Sequence, residues 1–444
     1  MKCYYFLYIL TLANLSFAQA QNTSSKFDFG EGPAPAGFNK VTPTNVYSPQ
    51  AVYGFDYNSS VTAKKTGNKN KVEDDYITST RPFYFSVKLP EGNYNVKVIL
   101  GDANGVSVTT IKAECRRLMI EKAITKKGMF IEKEFTVHVK DSLIRGISAG
   151  KVKLKPRERV YLHWDDKLTL EFNNAEAKVC SVEIIPAGNV PVIFLAGNST
   201  VVDQAEEPWA AWGQMFPAFM QPGKVCVANY AESGETLKAF KGENRLEKIW
   251  SLAKPGDYLF IEFAHNAQKQ GSSHLDPFTT YKETLKEWIT EARKRNITPV
   301  LVTSMNRRSF DSATGKIRNT LEDFPEAMRQ TGKEEDVTVL DLNAMSKILY
   351  EAWGAEKSVK AFVHYPANTF PNQPKELKDD THFNAYGAFE LAKCIVQAIS
   401  KSSLPLKRFI NTEFRGFDPS NPDPVELFNL PASSFTAIAK PDGI

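Results

Sequence analysis

The chain changes its hydrophobic period once, at Gly188-Asn189-Val190-Pro191, and that change limits the folds open to it. Before it, from Lys26 to about Pro186, short segments alternate apolar and polar residues between turn residues. Residues 84–89, the turn Pro90-Glu91-Gly92-Asn93 and residues 94–100 read as a hairpin. Residues 130–139, 160–164, 168–172 and 179–185 continue in the same style, without long helical periodicity. This pattern predicts an all-β sandwich of the jelly-roll type. Beyond Pro191, strand-like runs at 192–195, 225–228, 258–263, 299–303 and 337–342 alternate with helical stretches. The clearest helix is 280–295, where Leu285, Trp288, Ile289 and Ala292 form one apolar face. Strands alternating with helices predict a parallel sheet covered on both faces, a three-layer α/β domain.

At 444 residues the chain exceeds one typical core, in keeping with two domains. A hydrophobic fraction of 42% and a charged fraction of 24% are those of an ordinary globular protein, and a net charge of +4 is small for the length. The basic runs Lys64-Lys65 and Arg116-Arg117 are short and scattered and read as solvated faces, so no nucleic-acid partner is expected. Met1-Lys2, an apolar run from Cys3 to Leu12 and the small-residue sites Ser16-Phe17-Ala18 and Ala18-Gln19-Ala20 read as an export signal. The run is too short to span a membrane, and no later segment is long and apolar enough. Cleavage near Ala18 or Ala20 predicts a secreted or periplasmic protein. The plan is a signal at 1–20, a β domain at 21–187, an α/β domain at 190–402 and a Pro- and Asp-rich tail at 403–444 packed on the surface. The link from Gly188 to Pro191 is too short for a flexible tether, so the β domain is expected to pack on its neighbour and shape one rim of the cleft, rigidly only if the contact is large and apolar. Cys115, Cys180, Cys226 and Cys394 follow no metal-ligand spacing. Cys226 and Cys394 read as buried thiols, and a Cys115–Cys180 disulfide stays open.

Val192 to Gly197 reads as a buried parallel strand that delivers Ser199 at its carboxyl end, where open α/β sheets place their ligands. A serine hydroxyl needs a base to become a nucleophile. Asp379-Asp380-Thr381-His382 lies near the far end, and on a tight loop before the helix at 385–399 a carboxylate can hold one ring nitrogen while the other faces the serine. Asp380 competes with Asp379, which is favoured because adjacent side chains point apart; either could instead cap the following helix. Acyl transfer also needs donors for an oxyanion. Gly234, after the strand at 225–228, and Asn266, after the strand at 258–263, lie on the same sheet edge as Ser199. Trp209 and Trp212 are candidates to stack on a sugar ring, with core packing as their alternative. Arg307 and Arg308 are candidates to meet a uronate carboxylate, with a solvated salt bridge as theirs. His364 lacks a partner that would make a metal site.

Taken in order, Leu195-Ala196-Gly197-Asn198-Ser199-Thr200-Val201, Asn229 through Thr236, Glu262-Phe263-Ala264-His265-Asn266, and Asp379-Asp380-Thr381-His382 with Gly387-Ala388 resemble the four blocks of the SGNH, or GDSL-type, hydrolases. Among these the chain is most similar to rhamnogalacturonan acetylesterases of the bacterial type with a galactose-binding-like β domain in front; Phe27-Asp28-Phe29-Gly30 and Val52-Tyr53-Gly54-Phe55 resemble that domain's opening. The resemblance implies a flavodoxin-like parallel sheet and removal of acetyl groups from an acetylated plant-type polysaccharide or oligosaccharide, with no metal or organic cofactor. It also implies Ser199 as nucleophile, His382 as base, Asp379 as its orienter, and Ser199 N–H, Gly234 N–H and Asn266 as the oxyanion hole. Two departures stand beside these residues. Asn198 replaces the usual Asp before the serine, and Ala267 replaces the Asp after the block-three Asn. Weakened support of this kind costs up to about one or two orders of magnitude in rate. It leaves open another acyl or methyl ester on a related glycan, or a carbohydrate-binding protein with weakened catalysis.

Overall fold

The computed structural model describes residues 24–146 and 149–434. The signal and its cleavage sites lie outside the described residues.

The first domain is a two-sheet sandwich. One sheet runs Met129–Val139, Gly92–Asp102, Lys178–Pro186, Ser25–Phe29 and Asn39–Val41, with Asp75–Thr78 and Thr62–Lys65 added beside Lys178–Pro186. The other runs Tyr53–Asp56, Phe83–Lys88, Lys167–Glu176, Ser107–Ala113 and Arg117–Thr125. Along Gly92–Asp102, Tyr94, Val96, Val98 and Leu100 are buried while Asn95, Lys97 and Ile99 between them are not, the period of two that a one-sided strand imposes. These side chains meet Phe27, Phe29, Phe83 and Phe85 in one core.

Two local expectations are corrected here. Phe83–Lys88 and Gly92–Asp102 are not a hairpin: they belong to opposite sheets, and the turn carries the chain across the sandwich. Both strands aim their apolar residues at one core, so alternation alone cannot separate side-by-side from face-to-face placement. Residues 160–164 are not a strand; Pro156–Val160 forms a 3₁₀ turn with Pro at its start, where the missing N–H costs nothing.

The second domain holds five parallel strands in the order Cys226–Asn229, Val192–Gly197, Tyr258–Glu262, Thr298–Val302, Val339–Leu340. In chain order this is 2-1-3-4-5, the flavodoxin-like arrangement, whose connections diverge beside the first strand. Val192–Gly197 is buried on both sides: Ile193 and Leu195 enter one core, Phe194 and Ala196 the other. Helix Lys282–Lys294 buries Leu285, Trp288, Ile289 and Ala292 on one face, and helix Ala385–Lys401 covers the opposite one. Each large side chain so buried contributes about 1.5–3 kcal/mol.

The domain junction combines apolar contact with buried charge: Leu118 of the sandwich is buried in the core that holds Phe216, Phe219 and Met220, and Trp164 packs against the core on the other side of the sheet. Arg116 and Arg117 are not on a solvated face. Arg117 donates to Asp203 Oδ2 through Nε (3.0 Å) and Nη2 (2.8 Å), with both side chains at most 1% exposed. Arg116 reaches Glu207 at 2.6 Å. Glu158 of the β domain accepts two bonds from Arg245 (3.0 and 2.5 Å), and Lys248 meets Glu91 at 2.6 Å. His138 and Tyr230 bond across the junction at 2.9 Å. The tail packs Phe414, Phe417, Val425, Phe428 and Leu430 against the α/β domain. Its Ser433 then donates to Glu171 of the sandwich and, through its N–H, to Glu207 of the α/β domain.

All four cysteines among the described residues are buried and free. The open Cys115–Cys180 pairing is not formed: Cys115 lies at the turn between Ser107–Ala113 and Arg117–Thr125, and Cys180 faces the Gly101 carbonyl in the other sheet.

Candidate active site

Strand Val192–Gly197 ends in a turn that only a glycine permits. A Cβ on Gly197 would stand 2.5 Å from the Val201 side chain. Asn198 closes the turn, its Oδ1 accepting from Thr200 N at 3.0 Å and Oγ1 at 2.8 Å, and Val201 N and Val202 N both donate to the Asn198 carbonyl. Ser199 stands at the tip, its carbonyl held by Gln204 Nε2 at 2.6 Å. Glu262, at the end of the neighbouring strand, is buried beneath the turn. Its Oε1 lies 3.1 Å from Thr200 Oγ1 and its Oε2 accepts from Trp212 Nε1 at 2.7 Å.

The base arrives on a separate two-stranded ribbon rather than on a loop before the helix, a further correction of local structure. Leu377–Phe383 pairs with Phe362–Tyr365, and the register jumps from Val363–Asp379 to Phe362–Phe383. Asp380, Thr381 and His382 are therefore extra residues on one strand, and they bulge. In that bulge Asp379 Oδ1 accepts from Thr381 N and His382 N, both at 3.0 Å, while Oδ2 takes His382 Nδ1 at 2.8 Å. His382 Nε2 then lies 2.8 Å from Ser199 Oγ. Burial alone would raise the Asp379 pKa, but the bonds from the His382 ring and the two backbone N–H groups win and hold it well below the carboxylate range. Asp380 is turned away, its carboxylate paired with Arg308 and His364, each at 2.9 Å.

Two loops complete the sheet edge. After Cys226–Asn229 the chain passes through Gly234 at φ +84°, a conformation costly for any side chain, and Thr236 caps helix Leu237–Gly242. After Tyr258–Glu262, Asn266 Nδ2 donates to the Glu235 carbonyl at 3.2 Å, which ties the third block to the second. Glu232 N donates to the Gly197 carbonyl at 3.2 Å, which ties the second to the serine strand.

The four residues proposed from sequence to meet the sugar each have protein partners around the site. Trp212 is fully buried and serves Glu262. Trp209, 2% exposed, donates to Asp379 Oδ2 at 3.4 Å. Neither ring offers a face to a ligand, because each indole N–H is drawn inward by a buried carboxylate. Arg308 is consumed by Asp380, Ser358 and the Ala355 carbonyl. Arg307 donates to Thr320 and to the His265 carbonyl, bracing the loop that carries Asn266. Sequence reasoning passed over Gln204, Asn229 and Glu262. Asn229 Nδ2 holds the Val201 carbonyl at 2.7 Å and Asp203 at 2.8 Å; its place at the head of the second block was the available signal.

Residues 195–388 match the GDSL-like Lipase/Acylhydrolase family, and residues 25–141 match the Beta-agarase/YXIM esterase-like, galactose-binding domain-like family. The chain is 43% identical over 217 residues to rhamnogalacturonan acetylesterase RhgT of Bacillus subtilis, covering 48% of this chain and 92% of that one. It is 24% identical over 386 residues to the uncharacterized esterase YxiM of the same organism, covering 85% and 91%. The crystal structure of YxiM covers 86% of this chain and 99% of its own, with 22% identity and a TM-score of 0.45. The chain thus belongs to the GDSL-like lipase/acylhydrolase family, as a carboxylic ester hydrolase that carries a galactose-binding-like β domain in front of its catalytic domain.

Proposed function

We propose that the protein is an exported carbohydrate esterase that removes acetyl groups from a pectin-type, rhamnogalacturonan-like polysaccharide or its oligosaccharides. The observation that carries this reading is the relay Asp379–His382–Ser199, with both of its bonds at 2.8 Å, in a domain that shares 43% of its residues with RhgT. Ser199 Oγ attacks the ester carbonyl as His382 Nε2 takes its proton. Asp379 keeps the ring oriented and stabilises the imidazolium. The N–H groups of Ser199 and Gly234 and the Asn266 amide receive the oxyanion. His382 returns the proton to the departing sugar hydroxyl, and a water activated by the same ring clears the acetyl-enzyme. Export is supported by Met1-Lys2, the apolar run to Leu12 and the small residues at Ala18 and Ala20.

The test is acetate release from acetylated pectin by the purified protein and by Ser199→Ala. Release by the wild type and none by the variant is expected; equal, slow release by both would overturn the assignment. Asn198 and Ala267 favour a second reading, an ester with a different acyl or leaving group. Hydrolysis of methyl-esterified pectin or of longer acyl esters in preference to acetyl esters would select it.

A further inference from the structure

We propose that the β domain is part of the catalytic apparatus: Lys155 and Arg157 are positioning residues that orient and polarise the peptide whose N–H serves the oxyanion. The inference rests on the reading of Ser199 as nucleophile and Gly234 N–H as oxyanion donor. Lys155 and Arg157 belong to the sandwich, on and just before the 3₁₀ turn Pro156–Val160. Across the junction, Lys155 Nζ donates to the Ser233 carbonyl at 2.6 Å and Arg157 Nη2 donates to the same oxygen at 2.9 Å. Two cations from one domain thus converge on one carbonyl of the other.

The chemistry follows from the planarity of the peptide group. In a trans peptide the C=O of residue 233 and the N–H of residue 234 point in opposite directions. Anchoring the Ser233 oxygen on the sandwich side therefore turns the Gly234 N–H away from the sandwich, and the glycine's positive φ leaves that peptide free to take the required orientation. Positive charge on the carbonyl oxygen also draws electrons through the amide and makes the N–H a stronger donor. The cations are themselves held on the flanking residues. Arg157 donates to Glu232 Oε1 from Nε at 3.1 Å and from Nη2 at 2.7 Å, and Lys155 Nζ meets Glu235 Oε1 at 2.5 Å. Glu158, in the same turn, is locked by Arg245 and accepts from Lys155 N at 2.8 Å. The turn is thereby fastened at both ends before any substrate arrives, as preorganised electrostatic stabilisation requires.

The experiment measures kcat and KM for p-nitrophenyl acetate, and melting temperature, in the full-length protein. Lys155→Met and Arg157→Met are each expected to lower kcat about tenfold, and together about a hundredfold, with KM within about twofold. Inactivation by a serine-directed phosphonate should slow in parallel with kcat/KM, because its tetrahedral adduct places an oxygen where the oxyanion forms. Lys155→Gln keeps a hydrogen bond without charge and should lie between Lys155→Met and the wild type; Lys155→Arg should recover most of the rate. Lys153→Met removes another contact across the junction, to the Gly242 carbonyl at 3.0 Å, and should leave kcat unchanged. Unchanged kcat in the Lys155 and Arg157 variants, or a loss that Lys153→Met reproduces in step with melting temperature, overturns the proposal. Ser199→Ala assayed alongside separates the two ideas: activity persisting there refutes the nucleophile, whereas an inactive Ser199→Ala beside fully active Lys155 and Arg157 variants refutes the clamp alone.

Discussion

Replacing Glu262 by Gln isolates the cost of holding a carboxylate beneath the serine turn. Burial raises the Glu262 carboxyl from 4.5 to about 7, against bonds from Trp212 and Thr200 that pull it down. In the unfolded chain the same group titrates near 4.5. Between those values the native protein holds a proton that the unfolded chain has released, so stability falls as pH rises through this window and levels off above it. Displacing a carboxyl from 4.5 to about 7 corresponds to about 3 kcal/mol at pH 8. The geometry independently favours the protonated form. Thr200 Oγ1 has one proton but two oxygens to satisfy, Asn198 Oδ1 at 2.8 Å and Glu262 Oε1 at 3.1 Å, and a protonated Glu262 supplies the second. A glutamine reproduces that pattern, its amide donating to Thr200 and accepting from Trp212. Urea unfolding of wild type and Glu262→Gln at pH 5 and pH 8 gives a difference of differences, in which the Glu235 carboxyl, also raised by burial to about 7, cancels. The wild type is expected to lose about 2–3 kcal/mol more than the variant between the two pH values. Equal pH dependence of the two proteins, within about 0.5 kcal/mol, would refute the reasoning.

Arg117→Met strands the buried Asp203 carboxylate and is expected to cost about 3–5 kcal/mol in chemical unfolding, with partial recovery in Arg117→Met/Asp203→Asn. Asn198→Asp sets a second carboxylate across the Thr200 hydroxyl from Glu262 and should destabilise by about 1–3 kcal/mol above pH 7. Adding Glu262→Gln should remove most of that loss, as a double-mutant cycle would read. The α/β domain expressed from residue 190 leaves Asp203, Arg245 and Lys248 without their partners, so it should be insoluble or melt more than about 10 °C below the whole protein. A soluble fragment with an unchanged melting temperature would show the junction to be dispensable.

The parallel sheet was legible because a strand buried on both faces is a continuous apolar run, and the candidate reacting groups sit where such runs end. Ser199, Gly234 and Asn266 each follow one within a few residues. The carboxylate–imidazole pair was legible for a different reason, since Asp379 and His382 are near neighbours in the chain. What escaped depends on partners far away in sequence. Arg117 looks like a solvated basic pair until Asp203, 86 residues on, is seen to bury it. Trp209 and Trp212 follow the serine as sugar platforms would, yet their N–H groups answer Asp379 and Glu262, 170 and 50 residues away. Arg308 is likewise decided by Asp380. The false hairpin at 84–100 shows the same limit, because alternation reports which side of a strand is apolar and not which strand lies beside it.

The two halves of the relay stand on different elements, so one of its contacts is local to a single turn of chain and the other joins two elements. Asp379 and His382 share a single bulge, knitted by the bonds from Thr381 N and His382 N, and move as a unit. Ser199 rides on the five-stranded sheet, and the ribbon meets its loop where Ala210 N donates to the Phe383 carbonyl at 2.8 Å. A substitution that displaces the ribbon from the sheet would therefore open the serine–histidine contact while leaving the histidine–aspartate contact intact.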